Sequence, residues 1–485
     1  MNNAHSSNSN LRFDPLFFLE IMNTVTKLFR CMSVLLPLGF GLPAFGEVTL
    51  SHLFGDNMVL QRDMPLPVWG TADPGEMVEV RFGGHLVSVQ ADQSGSWMAT
   101  LPARKEGKNL QLIARGGNPA KEGRKNAVTC TNVIMGEVWV CVGQSNMEKP
   151  IGVHPGQNPC PNYQQEIASA DFPEIRLMEI LPAGSGVPVK DVANLKWLVC
   201  TPQNICVQRG GGCGYSACAY FFGREIHREL KVPVGLIAAS ASGERCEPFT
   251  PPAGSRFNAM IYPIIPFGIR GALWYQGESN ITDGMQYCEK MKALIAGWRK
   301  AWKQGDFPFG YVQITPAKYF SDAPEKVALF WEAQTAMLAI PNTGMAATHD
   351  IGSYPDCHGI NKQDVGKRLA LWALARTYGR EDLVYSGPLY KDMTAEDGKI
   401  RIYFNFVGGG LVANDGKPLT WFTIAGEDKK FGAATAVIDG DSVLVSSDAV
   451  AKPVAVRFAW SQEAAPNLAN KAGLPASAFR TDGAP

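Results

Sequence analysis

Ser145 lies in the pentapeptide Gly143-Gln144-Ser145-Asn146-Met147, directly after the apolar run Val138 to Val142. A strand that ends in a turn with a serine at its tip presents a hydroxyl at the carboxyl edge of an α/β sheet, where open sheets build their sites. That hydroxyl is a poor nucleophile at neutral pH and needs a base. His358, one of seven histidines, sits between an apolar segment and a helical one, and imidazole titrates near working pH. Asp356, two residues earlier, can orient the ring if the loop curls. His349 is the competing base. Asp350, Glu278 and Glu332 are competing carboxylates in polar clusters that can face the same site. The alternative for Ser145 is a plain helix cap.

An acyl-transfer reaction also needs donors for a tetrahedral oxyanion, each worth roughly 3 to 4 kcal/mol. The Ser145 backbone N–H is one. Gly243, in a turn directly after a strand segment, offers a second N–H, and the Gln276 side-chain amide a third. Gln276 opens a second polar block, Gln276-Gly277-Glu278-Ser279-Asn280, again directly after an apolar segment, Ile269 to Tyr275. The competing roles are a turn glycine for Gly243 and a buried amide tying two loops for Gln276.

These clusters must be carried by a sheet. Val138 to Val142, Val232 to Ala239, Ile269 to Tyr275 and Tyr311 to Ile314 are apolar without strict alternation, the pattern of strands buried on both faces. Helical stretches alternate with them: Ala217 to Leu230, Gly284 to Lys303, Glu325 to Ala339 and Lys362 to Tyr378. Alternating strand and helix predicts an α/β core over 129–380. Residues 148–215 read as a long Pro- and Gly-rich excursion. Short alternating strands such as Val78 to Phe82 predict a β-sandwich-like domain over 47–128, and strands return in a β-rich domain over 381–485.

At 485 residues the chain is too long for one ordinary domain. Its 45 basic and 45 acidic residues form no basic stripe, which excludes nucleic acid as a partner on electrostatic grounds. Residues 1–46 read as an extension and export signal: Lys27 and Arg30 precede the apolar Met32 to Phe40, and Ala44-Phe45-Gly46 is a small-x-small cleavage site. No later stretch reaches the ~18 apolar residues that membrane insertion needs. A secreted or periplasmic protein is therefore expected. In that compartment, disulfides tying the Gly-rich loop around Cys200, Cys206, Cys213 and Cys218 are expected, with buried free thiols as the second reading. The spacing of that group is not a clean zinc pattern.

The chain resembles the sialate O-acetylesterase family, whose catalytic domain belongs with the SGNH-type esterases. The resemblance rests on Met58 to Arg62, Gly136 to Met147, Trp274 to Asn280, Glu332-Ala333-Gln334, Lys362 to Ala370 and Asn467 to Asp482, so it covers nearly all of the expected mature chain. It implies a three-layer α/β/α core and a serine esterase that removes acetyl groups from sugars with no metal or other cofactor. The nucleophile maps to Ser145 and the base to His358. The family's oxyanion loop falls on Ala241 to Glu244 and its Gln-Gly-Glu block on Gln276 to Glu278, with Asn280 a further polar residue there. The implied partner is an O-acetylated sugar or glycan: sialic acid first, acetylated xylan or a similar plant polysaccharide second. Arg245 suits a sialate carboxylate, or an ion pair with Glu244, Glu247 or Glu278. A noncatalytic carbohydrate-binding protein built on a decayed esterase core is the rival class, and the presence of Ser145 and His358 weighs against it.

Overall fold

The computed structural model describes residues 47–117, 126–207 and 214–483, so the export pattern and Cys213 lie outside the described residues. The N-terminal strands are β1 (Thr49–Leu50), β2 (Val59–Gln61), β3 (Leu66–Thr71), β4 (Met77–Phe82), β5 (His85–Gln90), β6 (Ser96–Leu101) and β7 (Leu110–Gly116). Strand β4 alternates as a half-buried antiparallel strand should, with Val78, Val80 and Phe82 inward. It pairs with β5 and β7, while β3 pairs with β1 and β6.

Strand β8 (Ala127–Gly143) joins this region to the rest of the molecule. Its first half pairs antiparallel with β7, and its middle, Ile134 to Gly136, pairs parallel with β2. Its second half lies between two parallel strands, β11 (Val234–Ser240) and β12 (Gly271–Tyr275). The strand therefore runs unbroken across the boundary expected at 128–129 and is much longer than its apolar run suggests.

The central sheet orders β10-β9-β11-β8-β12-β13-β14, with β9 (Phe172–Glu179), β10 (Leu198–Cys200), β13 (Phe309–Val312) and β14 (Thr343–Ala346). All are parallel except β10, which is antiparallel to β9. The excursion expected over 148–215 thus contributes two sheet strands. The three-residue length of β10 and the Pro- and Gly-rich surroundings of both mask them in the sequence. On one side of β8 the chain lays down β9 and β10 and returns with β11 between β9 and β8; β12, β13 and β14 then build outward on the other side. The carboxyl end of β8 is consequently a topological switch point, the place where open α/β sheets leave a crevice.

The helices are α1 (Ser145–Glu148), α2 (Tyr163–Ala168), α3 (Ala217–Leu230), α4 (Gln286–Trp302), α5 (Lys326–Ala336) and α6 (Lys362–Arg376). Val138, Val140 and Val142 share one core with Trp274, with Trp298 of α4 and with Phe330 of α5. Trp139 and Cys141 share the other with Phe222 of α3 and with Leu369 and Trp372 of α6. Full burial of β8 on both sides explains its lack of alternation. Among the described residues no helix is long and apolar enough to cross a membrane.

Cys200 and Cys218 are separate thiols in the second of these cores, so the disulfide expected through them is not formed. Burial pushes each thiol up to about 12, and Cys200 Sγ lies 3.6 Å from the Ala170 carbonyl.

Beyond α6 the chain is again all strand. One four-stranded antiparallel sheet orders β15 (Leu389–Glu396), β16 (Lys399–Asn405), β21 (Ser442–Ser446) and β20 (Thr435–Asp439), and β17 (Leu411–Ala413) pairs with β23 (Leu468–Asn470). A second four-stranded sheet orders β19 (Gly432–Ala433), β18 (Phe422–Ala425), β22 (Ala455–Phe458) and β24 (Phe479–Arg480). This region docks on the α/β body through Gln462, whose Oε1 accepts from the Tyr319 and Phe320 amides at 2.9 Å each.

Two of the motifs that carry the family resemblance meet in one buried ion cluster. Glu137 of β8 is fully buried, and its carboxylate takes Arg62 Nε, Arg270 Nε at 2.6 Å, Gln61 Nε2 at 3.2 Å and Tyr378 Oη at 3.1 Å. Burial opposes its charge, but the bonds from Arg270 and Arg62 outweigh that and hold the carboxyl below its usual range. Glu137→Gln leaves two guanidinium groups short of their counter-charge and should cost about 3 to 5 kcal/mol in urea unfolding. A folded-state carboxyl held low stabilises above its unfolded value of about 4.3 and loses that contribution as pH falls through its folded value. The variant should therefore lose less stability on acidification below about pH 4.3 than the wild type.

Candidate active site

Three strand ends are laced together where β8 stops. Gln144 N donates to Tyr275 O at 3.1 Å and Ala241 N to Gly143 O at 3.0 Å, which joins the carboxyl ends of β8, β12 and β11. Gly143 is required here because a Cβ would lie 2.1 Å from Tyr275 O. Gln144 Oε1 then accepts from Ser279 N at 3.3 Å, so the turn after β12 folds over the same edge. Ser145 begins the single turn of α1, half-buried at this edge.

His358 comes from the loop after β14, and its Nε2 lies 3.0 Å from Ser145 Oγ. Its Nδ1 lies 3.3 Å from Asp356 Oδ1, and the same carboxylate oxygen accepts the His358 backbone N–H at 2.8 Å. The loop therefore curls so that Asp356 grips both the ring and the backbone of the residue it orients. Burial lowers the His358 pKa, Asp356 raises it, and Lys362 and Lys149 lower it again; the net direction is down. A base held below its ordinary range is neutral at pH 7 and able to take a proton. Asp356, Cys357 and His358 are also the one group among the described residues whose ligand atoms cluster closely enough for a metal. Both ring nitrogens of His358 already face partners: Nε2 can take the serine proton while Asp356 at Nδ1 orients the ring and favours the imidazolium.

The other carboxylates lie elsewhere. Asp350 forms a two-pronged pair with Arg368 at 2.7 and 2.6 Å. Glu332 pairs with Arg480 at 3.2 Å and ties the C-terminal strands to α5. His349 is buried against Trp331, with ring centroids 4.4 Å apart, and burial drives its pKa down to about 3. Glu278 enters the site region indirectly, accepting from Asn146 Nδ2 at 2.5 Å.

Gln276 and Arg245 each take the structural one of the two roles open to them. Gln276 is fully buried, and its Nε2 donates to Glu244 O at 3.2 Å and Asn280 Oδ1 at 2.8 Å. Both amide hydrogens are committed, so this side chain is a tie between two loops and not an oxyanion donor. Asn280 is part of the same tie: its Oδ1 also accepts from Cys246 N, and its Nδ2 donates to Glu247 and Asp283. Arg245, open to a substrate carboxylate or to an ion pair, pairs with Glu247 at 3.0 Å as one of those readings had it, and also bonds Asp283 at 2.8 Å and Ser279 O at 2.9 Å. Lys290 completes that cluster, which balances two cations against two carboxylates. Gly243 is in the left-handed region with φ of +71°, and its carbonyl accepts from Ser279 Oγ at 2.9 Å.

A family model described as carbohydrate esterase, sialic acid-specific acetylesterase, matches residues 135–374. Sialate O-acetylesterases from Homo sapiens and Pongo abelii are each 30% identical over 397 residues, covering 69% of this chain and 72% of theirs. The chain belongs to the sialate O-acetylesterase family. It is thus a carboxylic ester hydrolase of the carbohydrate-deacetylating class. A solved carbohydrate acetylesterase from Xanthomonas citri superposes with a TM-score of 0.82 at 36% identity, over 90% of this chain and all of that one.

Residue types alone did not single out the side chains behind the Ser145–His358 pair. Asn146 and Lys362 are fully buried, as is Lys149, whose Nζ is held by Gln157 Oε1 at 3.3 Å and by Asn158 O. The available signal was position: Asn146 lies inside the serine pentapeptide, and Lys362 opens a helix right after the histidine loop. For this esterase the acid limb of kcat/KM should have its midpoint below the ordinary imidazole value of about 6.5. A pH–rate profile with p-nitrophenyl acetate checks this, and a midpoint above that value contradicts the burial argument.

Proposed function

We propose that the esterase hydrolyses O-acetyl esters of sugar hydroxyls by double displacement on Ser145, with His358 as base and Asp356 as its orienting carboxylate. The observation that carries this reading is the 3.0 Å approach of His358 Nε2 to Ser145 Oγ. His358 takes the Ser145 proton as Oγ attacks the acetyl carbonyl carbon. The Ser145 and Gly243 backbone N–H groups receive the oxyanion. The imidazolium then returns its proton to the sugar oxygen as the C–O bond breaks. Water repeats the sequence on the acyl-serine and frees acetate. An SGNH-type three-layer core with flanking β-domains is part of this proposal, supported by helices on both faces of the sheet and by a serine at its switch point. So is export, on the pattern from Lys27 to Gly46 alone.

Sialate esters are the first substrate class, because the curated relatives are named for them. Acetylated neutral polysaccharide is the second, favoured by the commitment of Arg245 to Glu247 and Asp283. Acetate release from O-acetylated sialic acid and from acetylated xylan separates the two. Ser145→Ala should lower turnover of either by about 10⁴-fold or more while the fold is kept, and wild-type-like release would end the assignment. Arg245→Ala should leave the ratio of the two activities within about twofold, because loss of a guanidinium that bound substrate carboxylate would cost ~2 kcal/mol or more. A collapse of sialate activity alone would return Arg245 to the substrate.

A further inference from the structure

Lys362 is a wholly buried lysine at the first position of α6, where the Asn361 side chain caps the helix by accepting from Asp364 N at 3.0 Å. Lysine is rarely buried without a partner. Its ammonium donates to Asn146 Oδ1 at 2.6 Å and to Tyr275 Oη at 3.2 Å, and it lies 4.5 Å from the Tyr275 ring centroid. Asn146 in turn donates both Nδ2 hydrogens, one to Glu278 Oε1 at 2.5 Å and one to Cys357 O at 2.9 Å. A donor-only ammonium at one end and two acceptors at the other leave the amide a single orientation. The ends of this chain of bonds matter: Asn146 directly follows Ser145, and Cys357 directly precedes His358.

We propose that Lys362 and Asn146 are a positioning pair for the reaction: Lys362 locks the Asn146 amide, and Asn146 pins the Cys357 carbonyl so that His358 stays within bonding distance of Ser145. The proposal rests on the assignment of Ser145 and His358 made above. Lys362 has a second effect through its charge. His358 is faced by Asp356, which favours its protonation, by Lys362 and Lys149, which oppose it, and by the Cys357 thiol 3.7 Å from Nδ1. Lys362 is itself faced by Cys218, Cys160, Lys149, Glu278 and Tyr275, and burial lowers its pKa to about 8, so it is charged at neutral pH. Removing that charge should raise the His358 pKa and move the acid limb of kcat/KM to higher pH.

Lys362→Met, Asn146→Ala, the double variant and Ser145→Ala are compared on p-nitrophenyl acetate, with near-UV circular dichroism confirming the fold. Each single variant should lose about 30- to 100-fold in kcat, the scale of a misplaced catalytic group, with KM within about threefold of wild type. The double variant should be no worse than the poorer single, because both act through one chain of bonds. Lys362→Met should also shift the acid limb upward. Wild-type kcat in either folded single variant, multiplicative losses in the double, or a fixed acid limb in Lys362→Met each overturn the proposal. If Lys362→Met fails to fold, Asn146→Ala decides through the split between kcat and KM. An active Ser145→Ala would defeat the Ser145 assignment itself, whereas an inactive Ser145→Ala beside a wild-type-like Asn146→Ala defeats only the positioning role.

Discussion

The Ser145–His358 hydrogen bond joins residues 213 apart in sequence across 3.0 Å, and much of the structure serves to keep those two groups in place. A serine at a sheet edge is fixed by its strand. A histidine in a loop is not, and a displacement of about 1 Å is enough to impair proton transfer. The loop is secured at consecutive points: Asp356 accepts the His358 backbone N–H and lies 3.3 Å from its ring nitrogen, Asn146 holds the Cys357 carbonyl, and the capped start of α6 follows at once. The other wall of the edge is laced by Gln144, Ala241, Gln276 and Asn280, so the turns after β8, β11 and β12 form one hydrogen-bonded rim.

Buried charge is the second constraint. Glu137 and Lys362 are both out of water, and each is matched by several bonds in keeping with the cost of leaving such a group unpaired. Their tasks differ. Glu137 gathers Arg62 from the N-terminal strands and Arg270 from the turn before β12, and so fixes β8 in its long double role. Lys362 sits behind the Ser145–His358 pair, and its field opposes protonation of the imidazole. The Arg245 cluster at the rim is more exposed and electrically balanced, which suits the stiffening of a loop better than the capture of an anion.

Strands buried on both faces are legible because their apolar runs are continuous, and β8, β11 and β12 lie close to where those runs place them. The length of β8 is not legible, since its first half is half-buried and pairs with β7, before β2 joins it at Ile134. Strands β9 and β10 are hidden by their Pro- and Gly-rich surroundings, and β14 has only four residues, too few to show a period. Among the site residues, a serine after a strand and a histidine with an aspartate two residues earlier carry their own signal, because the local turn brings such groups to the sheet edge.

Partner choice is another matter. The sequence alone determined which side chains can donate, accept or ionise, where apolar strands end, and hence that one edge of an α/β sheet carries a serine hydroxyl. Only the tertiary structure decided which partner each polar group takes. Gln276 and Arg245 have the chemistry of an oxyanion donor and a carboxylate reader, yet Asn280, Glu247 and Asp283 lie closer and bind them first. Lys362 stands in the sequence only as the start of a helical stretch, and its complete burial follows from the packing of α6 against α3. Hydrogen bonds and ion pairs act over a few ångströms, and that proximity is set by the packing of segments far apart in the chain.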